Sequence, residues 1–128
     1  MTDSDFRAVH IRVDSNSNVH RFSGSKYVQS DLGHVCGEVQ SDLLNDKYVL
    51  FSGTSCHITG LKAFLHKANC DVSKLYTVDI VCHGVPSPRI WKDYIRYIEE
   101  TYKSNVQHAD FRNKRDFGWA DHVESFRL

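Results

Sequence analysis

Apolar positions along the chain change period several times, and each change marks an element. Residues 6–13 alternate, with Val9, Ile11 and Val13 on one side, which predicts a half-buried strand. The stretch Asp14-Ser15-Asn16-Ser17-Asn18 is turn chemistry. Residues 19–22 then return as a second strand, which makes an N-terminal β-hairpin. Over 31–45, Leu32, Val35, Cys36, Val39 and Leu43 fall at helical spacing. The run Tyr48-Val49-Leu50-Phe51 is nearly all apolar and stops at Ser52-Gly53. That pattern predicts a strand over 47–51 covered on both faces. Thr54 or Ser55 then caps a second helix to residue 67, with Ile58, Leu61, Phe64 and Leu65 inward. A further apolar run, 76–82, ends at His83-Gly84. Ser87 caps a third helix, and Pro88 suits its first turn. That helix carries Trp91, Tyr94, Ile95, Ile98 and Tyr102 on one face. Residues 106–111 and 122–128 read as strands around a charged loop at 112–119.

After the hairpin, helix and strand alternate. Such alternation predicts parallel strands joined by right-handed crossovers. The expected fold class is α/β: a mixed, mainly parallel sheet with helices on both faces and an N-terminal β-hairpin. A chain of 128 residues fits a single domain spanning 1–128. A composition 41% hydrophobic and 25% charged excludes a disordered chain or a coiled coil. Sixteen basic against sixteen acidic residues argue against nucleic acid as a partner. No apolar run approaches the ~20 residues of a membrane span, and residues 1–10 lack the pattern of a signal peptide. The expected location is cytoplasmic, with the four cysteines reduced.

Two strand–loop–helix junctions carry candidate chemistry. Gly53-Thr54-Ser55-Cys56-His57 and Val81-Cys82-His83-Gly84 each place a cysteine at the carboxyl end of a strand, followed by a histidine. In an open α/β sheet such loops share one edge, where ligands bind, so Cys56 and Cys82 are expected to lie close together. Cys56 also sits in the first turn of a helix, whose free N–H groups favour anions. Cysteine is equally a small core residue. That second reading applies to Cys36, on the apolar face of its helix, and to Cys70. Adjacent to their cysteines, the His57 and His83 side chains are expected to point away from the thiols. The segment Phe111-Arg112-Asn113-Lys114-Arg115-Asp116-Phe117-Gly118-Trp119 sets cations between aromatics. It is either a solvated loop or a clamp for phosphate or a flat ring, built on Arg112, Lys114 and Trp119. Lys26-Tyr27-Val28-Gln29-Ser30 either holds a ligand or caps the next helix.

Taken in order, the strings at 23–33 (SGSKYVQSDLG), 49–65 (VLFSGTSCHITGLKAFL), 77–88 (TVDIVCHGVPSP) and 111–119 (FRNKRDFGW) resemble the carboxy-terminal domain of the coenzyme F-420 (deazaflavin) hydrogenase/dehydrogenase beta-subunit family. The resemblance implies a redox domain of a flavin- and iron–sulfur-dependent oxidoreductase. It would work with FAD and a 4Fe-4S cluster. Its partners would be a redox protein or subunit with further iron–sulfur clusters and a carrier, the deazaflavin coenzyme or ferredoxin. By position, Cys56 and Cys82 become candidate metal ligands. Lys26, Tyr27, Gln29, Ser30, Gly53, Thr54, His57, Gly60, His83, Gly84, Arg112 and Lys114 become candidate cofactor-binding residues. The family's usual G-T-P-C-Q loop reads with Ser55 and His57 here, and Thr59 stands for a usual alanine. Family members also carry a cysteine-rich region, so the chain is expected to be a fragment of a longer protein or a degenerate homologue. Two alternatives stay open: a cofactor-free interaction or scaffold domain, and a cysteine-nucleophile enzyme using Cys56.

Overall fold

The computed structural model describes residues 6–128. They form two compact units rather than one continuous sheet. One comprises residues 10–12 and 32–84; the other comprises the rest, up to Val9, 13–31 and 85–128.

The first unit contains α1 (Val35–Leu44), β1 (Val49–Thr54), α2 (Ser55–Lys67) and β2 (Leu75–Ile80). β1 and β2 pair in parallel from Val49↔Leu75 to Thr54↔Ile80. The crossover through α2 is what a parallel pair requires. Val35, Val39 and Leu43 recur at every fourth position of α1, and Ile58, Leu61 and Leu65 form the matching stripe on α2. Both stripes close on Phe51, and Leu61 and Leu65 are fully buried. Both helices therefore cover the sheet face that carries Phe51. The opposite face presents Leu50, Tyr76, Val78 and Ile80, all exposed. The expectation of helices on both faces is thus not met within this unit. The apolar runs at 48–51 and 76–82 look doubly buried in sequence, yet among the described residues of this unit only the Phe51 face is covered.

Residues 10–12 are tied to this unit by charge. Arg12 Nε and Nη2 donate to the two carboxylate oxygens of Asp42 at 2.6 and 3.1 Å, and Lys47 Nζ donates at 2.9 Å. The Arg12 guanidinium holds the Asp42 carboxyl at about 2, below its usual 3.8. The depressed value gives stability that is present above pH ~4 and lost as pH falls toward 2. After screening by solvent the pair is worth about 1 kcal/mol. Urea denaturation of wild type and Asp42→Asn should therefore differ by about that amount at pH 6 and converge near pH 2. An equal difference at both values would show that the carboxylate is not the source.

The second unit contains α3 (Pro88–Tyr102), β3 (His108–Asp110), the short α4 (Lys114–Phe117) and β4 (Ser125–Arg127). Ser87 Oγ accepts from the Ile90 N–H at 3.4 Å, and Pro88 fills the first turn. The helix ends at Lys103 in the left-handed region, φ 51°. Trp91 and Ile95 face a core of Ala8, Val28, Val106 and Phe111. The Trp91 ring stacks on Phe111 at 4.5 Å, and its Nε1–H donates to Phe6 O at 2.9 Å. β3 and β4 pair antiparallel, Ala109 opposite Phe126. The sequence expectation of one mainly parallel sheet is corrected here. β3 follows a crossover-length helix, yet it pairs with the chain that returns through 112–124.

The N-terminal hairpin is also corrected. Asn16–Phe22 forms a 3-10 helix with no buried residue, and Ser15 Oγ accepts from Ser17 N–H at its start. Val19 and Phe22 stay about half exposed, and local capping by Ser15 favours the helical turn. Of the first predicted strand, Val9 keeps one parallel bridge, to Asp31.

Candidate functional site

β1 and β2 end level, at the pair Thr54↔Ile80. Cys56 and Cys82 each follow by two residues, so both lie just past the carboxyl edge of the same two-stranded sheet. Neighbouring strands there are ~4.8 Å apart. Both thiols are free and exposed.

The first loop is tightly built. Thr54 precedes α2 without capping it by its side chain. Its Oγ1 lies 3.0 Å from Cys56 Sγ and 3.0 Å from His57 Nδ1. One hydroxyl thus joins the thiol to the imidazole, although neighbours in a helical turn point in different directions. The sequence expectation has His57 turned from the thiol; the structure links the two side chains only through the Thr54 hydroxyl, which spacing alone does not reveal. The His57 ring meets His10 edge-on at 5.0 Å, and His10 stacks on Phe51 at 5.5 Å. Burial, with His57 beside it, pushes the His10 imidazole below its usual value. Gly53 leaves room for this packing. A Cβ there would sit 3.2 Å from His57 Cβ and from Phe51 Cε1, and 3.4 Å from His10 Nε2. Gly60, by contrast, lies within α2, where an added Cβ meets nothing within 4 Å.

Ser55 Oγ donates to the Asp79 carboxylate, at 3.0 and 2.9 Å from its two oxygens. This bond crosses between the strand ends. In the second loop, the Gly84 N–H donates to Cys82 Sγ at 3.4 Å, and Gly84 takes φ +117°. His83 is exposed. Cys36 and Cys70 are half-buried and pack against the unit's core, and burial pushes the Cys36 thiol up. Among the described residues, no group of three or more His, Cys, Asp or Glu side chains is arranged to hold a metal ion.

A family model for the carboxy-terminal part of the coenzyme F420 hydrogenase/dehydrogenase beta subunit matches residues 46–127, more than half of the chain. The chain belongs to this family. No curated protein and no solved structure matches it. The beta-subunit match runs from just before β1 to the end of β4. It includes both cysteine loops and the 111–119 segment, but starts after the string at 23–33. Lys26, Tyr27, Gln29 and Ser30 therefore lie outside the matched residues.

In this beta-subunit domain the second unit gathers Tyr27, Arg112, Lys114 and Trp119. Arg112 Nη1 donates to Tyr27 Oη at 3.5 Å, and Nη2 donates to Trp119 O. Arg112 Nε is buried and has no partner among the described residues. Lys114 Nζ stands over the Trp119 ring at 4.0 Å, a cation–π contact. A hydrogen bond with Ser25, and then Arg112, lowers the Tyr27 phenol below its usual value. Lys26 Nζ donates to Ser23 O and Gly24 O at 2.7 and 2.9 Å, and burial pushes it down. Gln29 is exposed; its backbone N–H donates to Pro86 O at 3.3 Å. Ser30 is half-buried. The 112–119 loop is thus folded on Tyr27 and contains α4, capped by Asn113, whose side chain accepts from Asp116 N–H.

Proposed function

We propose that this chain is a redox domain of a flavin- and iron–sulfur-dependent oxidoreductase of the beta-subunit type, working in the cytoplasm beside an iron–sulfur protein. It would serve electron transfer to or from the deazaflavin coenzyme or ferredoxin. The observation that carries this reading is the level ending of β1 and β2, with Cys56 and Cys82 two residues beyond. Membership of the family supports it. No helix among the described residues is long and apolar enough to cross a membrane.

The donor set limits what the chain holds. A 4Fe-4S cluster takes four cysteine ligands; the shared edge offers two thiols, and no larger group of donors accompanies them among the described residues. The residues present do not complete a cluster site, and the remaining ligands must come from outside them. For FAD, the Arg112 Nε–H, without a partner among the described residues, is a donor that a phosphate oxygen would satisfy. FAD, when bound, supplies the electron-carrying ring. The chain's own part is charge: Arg112 and Lys114 stand near Tyr27 and Trp119 as positive groups for an anionic ligand.

The test is anaerobic reconstitution with iron, sulfide and FAD, followed by counting of each per chain. Alone, the chain should hold far less than one cluster; with a cysteine-rich partner protein added, both cofactors should appear. Cys56→Ser and Cys82→Ser should each abolish that iron. Full iron retention in both variants would refute the ligand assignment. A second reading, a cysteine nucleophile at Cys56, is favoured by the Thr54 hydroxyl that joins Cys56 to His57. It requires rapid, stoichiometric acylation or alkylation of Cys56 that His57→Ala slows.

A further inference from the structure

We propose that Ser55 and Asp79 are positioning residues that hold Cys56 and Cys82 as one dithiol, open to a ligand that takes two sulfurs at once. The proposal rests on the reading of these cysteines as one site and adds what fixes their spacing.

Backbone pairing stops at Thr54↔Ile80. Beyond it the two chains part: one turns into α2, the other enters the loop at 81–87. The bond from Ser55 Oγ to the Asp79 carboxylate ties them just where they separate. Ser55 immediately precedes Cys56. Asp79 stands opposite Gly53 in the register, three residues before Cys82. A carboxylate acceptor makes this a charge-assisted bond. Each sulfur is also held locally, Cys56 Sγ beside Thr54 Oγ1 and Cys82 Sγ by the Gly84 N–H. Both thiols remain exposed, so a ligand can reach them. Without the clasp, the loops keep their own turns but lose the constraint that sets one against the other.

A trivalent arsenical reads such a pair directly. Phenylarsine oxide condenses with two thiols: two As–S bonds form, and both thiol protons leave with the arsenic's oxygen as water. No electron is transferred. The reduced chain is treated with phenylarsine oxide in the presence of excess monothiol, and the product is mapped by mass spectrometry. Wild type should carry one phenylarsenic bridging Cys56 and Cys82, with both protected from iodoacetamide. Ser55→Ala and Asp79→Asn should weaken the bridged product about fivefold, as loss of one exposed charged hydrogen bond implies. Ser55→Thr, which keeps the hydroxyl, should restore it. Iodoacetamide rates at each cysteine without arsenic should stay at wild-type values in all three variants, which a general loosening of the fold would not allow. Bridging that is equally strong in Ser55→Ala overturns the clasp and leaves the redox reading standing. Absence of the bridged product in wild type overturns the shared site itself. Ser55 is exposed, so its alanine variant carries the test even where Asp79→Asn fails to fold.

Discussion

Leu61→Ala is expected to destabilise the protein by about 3–5 kcal/mol, the upper part of the range for buried leucines. Leu61 has no exposed surface, and it lies among Val35, Val39, Phe51, Ile58 and Leu65. Its removal leaves a cavity bounded by two helices and a strand. Both helices are fixed to the sheet by the same side chains, so the site cannot collapse without moving an element. Leu44, 70% exposed on α1, is the control, and its alanine variant should cost less than about 0.5 kcal/mol. Urea denaturation of the two variants makes the comparison. Equal costs would mean that the α1–α2–β1 core is not packed as described.

Trp91→Ala should cost about 3–5 kcal/mol in the other unit. The ring stacks on Phe111, packs near Phe126 at 6.2 Å, and hydrogen-bonds Phe6 O. Trp91→Phe separates these contributions. It keeps most of the stacking and loses the indole N–H, so its cost should be about 1 kcal/mol plus a smaller packing loss. Guanidinium denaturation followed by near-ultraviolet circular dichroism reports both. A phenylalanine variant as unstable as the alanine one would place the energy in the hydrogen bond rather than in the aromatic cluster.

Much of the local structure was legible because it depends on neighbours in sequence. The run at 48–51 lies largely in β1, although that strand continues past the expected stop to Thr54; Ser87-Pro88 begins α3; and of the expected inward stripe Ile58, Leu61 and Leu65 are buried while Phe64 stays exposed. The level placement of Cys56 and Cys82 followed from two strand–loop–helix junctions. Pairing was not legible. Nothing in Val106 to Phe111 says that β3 meets β4 antiparallel instead of extending the β1–β2 sheet, because strand partners are chosen by contacts far apart in sequence. The 3-10 helix at Asn16–Phe22 was missed because Ser15, a turn residue by composition, acts as a cap. The Thr54 bridge and the Ser55–Asp79 clasp were invisible for a different reason. Each is a hydroxyl contact that any threonine or serine offers, and only folding selects its partner.

The way the two units draw on the chain sets a timetable for folding during synthesis. The buried residues of one core run from Val35 to Leu65, and its unit closes when β2 and the residues up to 84 have been made. The other contains Ala8 and Val28 but also Trp91, Ile95, Val106 and Phe111. Its earliest members wait while 27 further residues, from 85 to 111, are added. At about 5–20 residues per second that is roughly 1–5 s. Throughout that interval the first unit can already be folded, while Ala8, Val28, Val19 and Phe22 remain open to solvent and to any chaperone that reads short apolar segments. Among the core residues, Ala8 and Val28 therefore wait longest for their partners.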